Sequence, residues 1–278
     1  MDALKSLMVH VDAGTNSEAR LRVARQLAGQ HAASLTAVYA VTPTFVQIPL
    51  ELAAGAPAVE VMQQIDEDRL AVARNLVQRL GKEQGPSIDW QPAQGAEPIR
   101  CFSQRALYAD LMVLGQYDPE QVGLGVPADF AASVLIATGR PGLVVPYIDH
   151  GDAVGRCALV AWKPTPSSMH AVAGALPLLS RSSEVHVASW SGSETEPDDD
   201  PNAIIEFLVR RGIRARLHHS QEEAPSDVGE MILSLAADLS ADLLVMGCYG
   251  HSRARELVLG GATRTVLKSM TVPVLMAH

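Results

Sequence analysis

Short unbroken apolar runs alternate along this chain with longer segments whose apolar residues recur every three or four positions. The runs have the character of strands buried on both faces, and the longer segments that of helices with one buried stripe. Residues 7–11 are the first run, closed by Asp12, Ala13 and Gly14. Leu21, Ala24, Leu27 and Ala28 then mark a helix, with Thr15 and Glu18 at the spacing of a capping box. Strands are expected at 35–41, 88–91, 111–114 and 143–145, and helices at 59–81, 98–108 and 129–138. Residues 43–57, rich in Pro, Ala and Gly, read as a loose loop. Strand and helix thus alternate four times before a last strand, which predicts a mostly parallel sheet with helices on both faces.

The same order then recurs. Strands are expected at 158–162, 185–190, 214–218, 242–246 and 272–277, with helices at 168–179, 203–209, 228–239 and 262–270. Ala109-Asp110-Leu111-Met112-Val113-Leu114-Gly115 aligns without a gap on Ala241-Asp242-Leu243-Leu244-Val245-Met246-Gly247, 132 positions later, and the same offset carries Pro141 onto Pro273. Nearer the front the offset is 151, which carries Asp12 onto Lys163 and Ser17 onto Ser168. A self-similarity of this length means two copies of one domain. The boundaries read as 1–147 for the first, 148–155 for a small polar linker and 156–278 for the second.

Composition narrows the class. The apolar share of 47% against 19% charged residues supports two packed cores. A net charge of −9 disfavours a nucleic-acid partner, because neutralising phosphates takes a basic face. No stretch is apolar for long enough to span a membrane, and the run in residues 1–14 is too short for a signal peptide. The three cysteines, Cys101, Cys157 and Cys248, have no Cys/His ligand spacing and read as reduced thiols of a cytoplasmic protein. His218 and His219 are adjacent, and neighbours on a strand point to opposite faces, so they do not read as a metal pair. There is no Gly-x-Ser-x-Gly elbow and no triad spacing, so no catalytic residue is assigned.

The chemistry concentrates near the end of the chain. Met246-Gly247-Cys248-Tyr249-Gly250-His251-Ser252, then Leu259-Gly260-Gly261-Ala262-Thr263, then Val272-Pro273-Val274-Leu275-Met276 resemble the C-terminal signature of the universal stress protein family, whose loop reads Gly-x2-Gly-x9-Gly-(Ser/Thr). The glycine spacing is matched in full, but Gly261 stands where the family has Ser or Thr. The resemblance extends over both halves and implies a tandem member. It also implies two five-stranded, Rossmann-like domains of the adenine-nucleotide α-hydrolase type. By that resemblance the loop cradles ATP, with Mg²⁺ shared by the phosphates. The general chemistry agrees: glycines let the backbone approach phosphate oxygens, and a helix N-terminus offers unpaired N–H donors. The candidate nucleotide-binding residues are Gly247, Gly250, His251, Gly260, Gly261, Ala262, Thr263 and Lys163.

The halves depart from that pattern in opposite ways. The first keeps Asp12, where ATP-binding relatives carry an aspartate towards adenine, but has Asp118, Ala128 and Asp129 at the positions of Gly250, Gly260 and Gly261. Two carboxylates repel an anion, so this loop is expected to bind no triphosphate. The second keeps the glycines and has Lys163 in place of the aspartate, either a solvated lysine or a partner for an anion. Trp162 and Trp190 end adjacent strands and either stack on a base or fill the space. The expected function is stress-response binding or regulation through an adenine nucleotide, with at most weak ATP hydrolysis. The alternatives are a scaffold without nucleotide and an anion or small-molecule sensor. The last strand of each half, by the same resemblance, serves for pairing, so the two halves are expected to form an intramolecular pseudo-dimer, with further homodimerisation left open.

Overall fold

A computed structural model describes residues 3–47, 56–93, 95, 97–121, 123–148, 151, 153–190, 200, 202–220, 227–248 and 261–278. Contacts divide the chain into two compact units, residues 3–140 and residues 141–278. In the first, β1 (Ser6–Val11), α1 (Ser17–His31), β2 (Ser34–Tyr39), α2 (Thr44–Gln47), α3 (Ala56–Gly81), β3 (Ile88–Pro92), α4 (Pro98–Ala106), β4 (Leu111–Gly115) and α5 (Phe130–Thr138) follow one another. The second holds β5 (Gly142–Val145), β6 (Cys157–Ala161), α6 (Pro166–Leu179), β7 (Glu184–Trp190), α7 (Asn202–Val209), β8 (Arg216–Ser220), α8 (Val228–Asp238), β9 (Leu243–Gly247), α9 (Gly261–Ser269) and β10 (Val274–Ala277). The α/β alternation expected from the pattern is therefore the architecture found.

In the first unit the strands run β3-β2-β1-β4, all parallel. The chain builds outwards from β1 to β3 and then returns to lay β4 on the other side of β1. That reversal places a crevice at the carboxyl ends of β1 and β4, where open α/β sheets bind ligands. The second unit repeats the device with the order β5-β10-β9-β6-β7-β8, so its crevice lies at the ends of β6 and β9. Its one antiparallel pairing among the described residues is β5 with β10, Leu143 facing Leu275.

The central strands β1, β4, β6 and β9 are mostly apolar because both faces are covered, whereas the outer strands β3 and β8 are polar and part-exposed. Met8, Val9, Leu111, Met112, Val113 and Leu114 are all buried in the first unit, as are Leu159, Val160, Leu243, Leu244 and Val245 in the second. The expected stripe of α1 is buried in full, and each leucine on it contributes about 1.5–3 kcal/mol. Two local expectations fail. The capping box does not form: Asn16 precedes α1 without a side-chain cap, and Glu18 instead takes ion pairs with Arg22 and Arg79. Residues 43–57 are also not all loop. Thr44 starts a helical turn because the Asp66 carboxylate accepts both its N–H and its hydroxyl, at 3.0 and 2.6 Å.

In the second unit α8 and α9 pack closely through Asp227. Its Oδ1 accepts the Gly229 and Glu230 N–H groups, capping α8, while Oδ2 accepts the Thr265 hydroxyl at 2.8 Å. Gly229 allows the approach, since a Cβ there would lie 2.7 Å from Thr265 Cβ and 2.9 Å from the Ala262 carbonyl. Gly229→Ala is accordingly expected to destabilise the second unit by about 1–3 kcal/mol despite alanine's better helix propensity. A thermal melt in which the midpoint stays level or rises would refute this account of the contact.

Candidate functional site

The two crevices start from the same secondary structure and end with different chemistry. In the first unit Asp12 follows β1 directly, held in an Asx-type turn by the Gly14 N–H at 2.6 Å, and its own N–H donates to Ser17 Oγ at 2.9 Å. One turn further along α1, Arg20 reaches back over this turn. Its Nη2 donates to Asp12 Oδ2 at 2.5 Å and to Ser17 Oγ at 2.6 Å. Both members of the ion pair are buried, at 6% and 5% exposure. The guanidinium lies so close over Gly115 that any Cβ at that position would collide with Arg20 Nη1. The glycine that begins the phosphate loop by homology therefore seats an arginine from the protein itself.

His10 completes the floor. Its Nε2 lies 2.9 Å from the Ala40 carbonyl and so carries the proton, and its ring packs against Phe130 and Phe102. Burial first, and then the Arg20 charge, lower its pKa from 6.5 to about 4, so it is a neutral imidazole at physiological pH. For Asp12, burial pushes upwards but is outweighed by Arg20, His10 and the Gly14 N–H. The result is about 2, an ionised carboxylate.

Asp118, which takes the place of a loop glycine, binds the Asn16 amide at 2.8 Å and the Gln121 amide at 2.7 Å. It thereby fastens the loop to the start of α1. The cavity left between these groups measures about 50 Å³. A few waters would fill it, whereas small-molecule sites run to roughly 300–1,000 Å³.

The second crevice has no counterpart of that ion pair. Lys163 occupies the Asp12 position and Ala171 the Arg20 position. Lys163 is exposed, and Trp162 and Trp190 beside it are half-buried. The chain turns after Lys163 into α6, where Thr165 Oγ1 caps the helix by accepting the Ser168 N–H at 3.3 Å. Gly247, at the end of β9, lies directly against this helix start: a Cβ there would come within 2.5 Å of Ser168 N and 2.7 Å of Ser167 C. Two backbone atoms stand in the way, so the contact admits glycine only.

Gly261, Ala262 and Thr263 form the first turn of α9. Gly261 is exposed and Thr263 buried, so what Thr263 can offer a ligand is its backbone. Of the other candidates, Gly250, His251 and Gly260 lie outside the described residues. The structure thus joins Gly247 to the helix start beside Lys163, and sets Gly261–Thr263 at a second helix start.

The sequence reading did not identify His10, Ser17 and Arg20. The signal was present, since Ser17 and Arg20 are three apart and face the same way on α1. An arginine at the edge of an apolar stripe nevertheless reads as surface unless its carboxylate partner is known.

Residues 158–278 match the model of the Universal stress protein family. A curated universal stress protein of Synechocystis sp. is 48% identical over 80 residues, a stretch covering 28% of this chain and 28% of that protein. Among solved structures, a universal stress protein from Archaeoglobus fulgidus DSM 4304 superposes with a TM-score of 0.68 at 14% identity, covering 98% of this chain and 95% of that one. A putative universal stress protein from Pseudomonas aeruginosa UCBPP-PA14 gives 0.61 at 18% identity, over 99% and 93%. At these identities the structural likeness is one of fold.

Proposed function

We propose that this chain, whose residues 158–278 match the model of the Universal stress protein family, is a binding and regulatory protein whose second crevice takes a phosphate-bearing ligand, an adenine nucleotide first among them. The observation that carries this reading is the glycine-only contact of Gly247 with the start of α6, adjoining an exposed lysine. The start of α9 offers backbone N–H groups and the positive end of a dipole, and Lys163 adds a full charge beside the capped start of α6.

ATP with Mg²⁺ fits this donor set on the phosphate side. Gly247 and the backbone of Gly261, Ala262 and Thr263 would hold the phosphates, with Gly250, His251 and Gly260 between them in sequence and Lys163 towards the other end of the ligand. The metal, when bound, supplies charge neutralisation between phosphate oxygens. The chain's own groups bind and orient. No general base is assigned among the described residues, so turnover beyond weak hydrolysis is not part of the proposal.

One observation favours a second reading, an anion sensor that ignores adenine: Lys163 stands at the base end of the crevice, where an aspartate is expected for adenine. The experiment is a calorimetric titration of the full chain with ATP, with and without Mg²⁺, beside a test for nucleotide released on denaturation. Binding that Gly250→Asp abolishes and Lys163→Glu weakens about tenfold, or about 1.4 kcal/mol, supports the first reading. Binding of inorganic phosphate or pyrophosphate as tight as that of ATP supports the second. The absence of heat with ATP, phosphate and pyrophosphate up to millimolar concentration overturns both.

A further inference from the structure

At the opposite end of the second unit's sheet, three potential metal ligands converge from residues that are distant in sequence. Cys157 opens β6 and Glu184 opens β7, and the parallel register sets them side by side. His186, two residues along β7, shares the face of Glu184. The Cys157 sulfur, a Glu184 oxygen and a His186 ring nitrogen all lie within 4.8 Å of one another. His186 is buried at 3% exposure, and its Nε2 stands 3.5 Å from Glu184 Oε2.

Behind it, His186 Nδ1 lies 2.9 Å from Nε2 of His218, which β8 places on the same face, level with Ala188. One of those two nitrogens carries the proton. The 3.5 Å separation on the other side of the ring is longer than a normal hydrogen bond, so Nε2 is not committed to Glu184, and a proton on Nδ1, donated to His218, leaves Nε2 with a bare lone pair. In that tautomer a lone pair, a sulfur and a carboxylate come together with no proton between them, the thiol's own being directed to the Leu239 carbonyl at 3.6 Å and released when a metal binds. Asp242 adds negative charge beside them. Its Oδ1 accepts the Cys157 N–H at 3.0 Å, and its Oδ2 is buried without a hydrogen-bond partner among the described residues.

We propose that Cys157, Glu184 and His186 form a site for a divalent cation of the zinc class, with His218 as the outer partner that orients His186. Sulfur, imidazole and carboxylate together are a zinc-type donor set, and a protein-bound histidine ligand characteristically donates its other N–H to such a partner. Zinc–ligand bonds of about 2.0–2.3 Å put neighbouring ligand atoms roughly 3.3–3.6 Å apart. The 3.5 Å pair already meets that distance, and the exposed Glu184 side chain has room to close the rest. Water completes four-coordination. The ion ties β6 to β7 at their amino ends, the end of the sheet opposite the phosphate crevice, so the proposal stands independently of any nucleotide.

The test uses the full chain, stripped with a chelator and titrated with Co²⁺ alone and then Zn²⁺. One equivalent of Co²⁺ is expected to give a thiolate charge-transfer band and tetrahedral ligand-field bands, both displaced by Zn²⁺. Cys157→Ser should abolish the charge-transfer band and weaken Zn²⁺ binding at least 100-fold. Glu184→Ala, at an exposed side chain, should weaken it at least tenfold while leaving the fold intact by circular dichroism. His218→Gln should weaken it about 10–100-fold while keeping the thiolate band, the mark of a positioning residue. Cys101→Ser should change nothing. A Co²⁺ spectrum without the thiolate band, or Zn²⁺ affinity unchanged by Cys157→Ser or Glu184→Ala, overturns the site.

Discussion

Arg20→Ala is expected to cost the first unit about 3–5 kcal/mol, because it leaves the ionised Asp12 carboxylate buried without its partner. Asp12 is 5% exposed and Arg20 6%, so water cannot replace the guanidinium without entering the crevice. The Ser17 hydroxyl loses one of its donors in the same step, and the space over Gly115 empties. If both charges are removed together, as in the double variant Asp12→Leu with Arg20→Met, the loss should be far smaller, since the desolvation of both ions disappears with their attraction. Amide exchange in β1 and β4 as a function of urea isolates this unit from the other. A loss below about 1 kcal/mol for the single variant, or a double variant no better than the single, would mean that the pair is hydrated and the crevice open.

That pair also shows what a sequence can and cannot convey about a site. The alternation of strands and helices, the internal repeat and the apolar strands were all legible because burial on two faces leaves a continuous hydrophobic run. Such runs stand out against a background of amphipathic helices. Pair interactions leave no such mark. Asp118 reads in sequence only as a carboxylate that repels phosphate, and the structure adds that it fastens its loop to Asn16. Glu18 had the spacing of a capping partner and went instead to Arg22 and Arg79, since two guanidiniums outbid one backbone N–H. Cys157, Glu184 and His186 were invisible as a group because parallel strands bring together residues separated by a whole crossover helix. Cysteine spacing can reveal a metal site only when its ligands are local. His218 has His219 as its neighbour in sequence, although its partner, His186, lies one strand away. What the sequence did convey about function was position: both halves carry their distinctive residues after the first and fourth strands, where the reversal of strand order opens each crevice.

Acid should weaken the first unit over two pH ranges, and the first belongs to His10. Its folded pKa of about 4 lies below the ordinary 6.5, with burial the larger cause and Arg20 the second. The unfolded chain therefore takes up a proton on His10 before the folded one does. The stability this represents is fully present above pH 6.5 and is lost as the pH falls from 6.5 through 4. A difference of about 2.5 pKa units amounts to roughly 3 kcal/mol. Asp12 follows, with a folded pKa of about 2 against 3.8, so its contribution holds above pH 3.8 and disappears as the pH falls through 2. His10→Phe keeps the stacking surface for Phe102 and Phe130 but cannot titrate. It also leaves the Ala40 carbonyl unpaired, which lowers stability at neutral pH. The expected signature is a shallower slope of unfolding free energy between pH 6.5 and 4, again followed by exchange in β1 and β4, with the loss below pH 4 retained. An unchanged slope in the variant would place His10 in contact with solvent. That would contradict a floor closed by Arg20, because the same guanidinium that holds Asp12 ionised helps to keep His10 neutral.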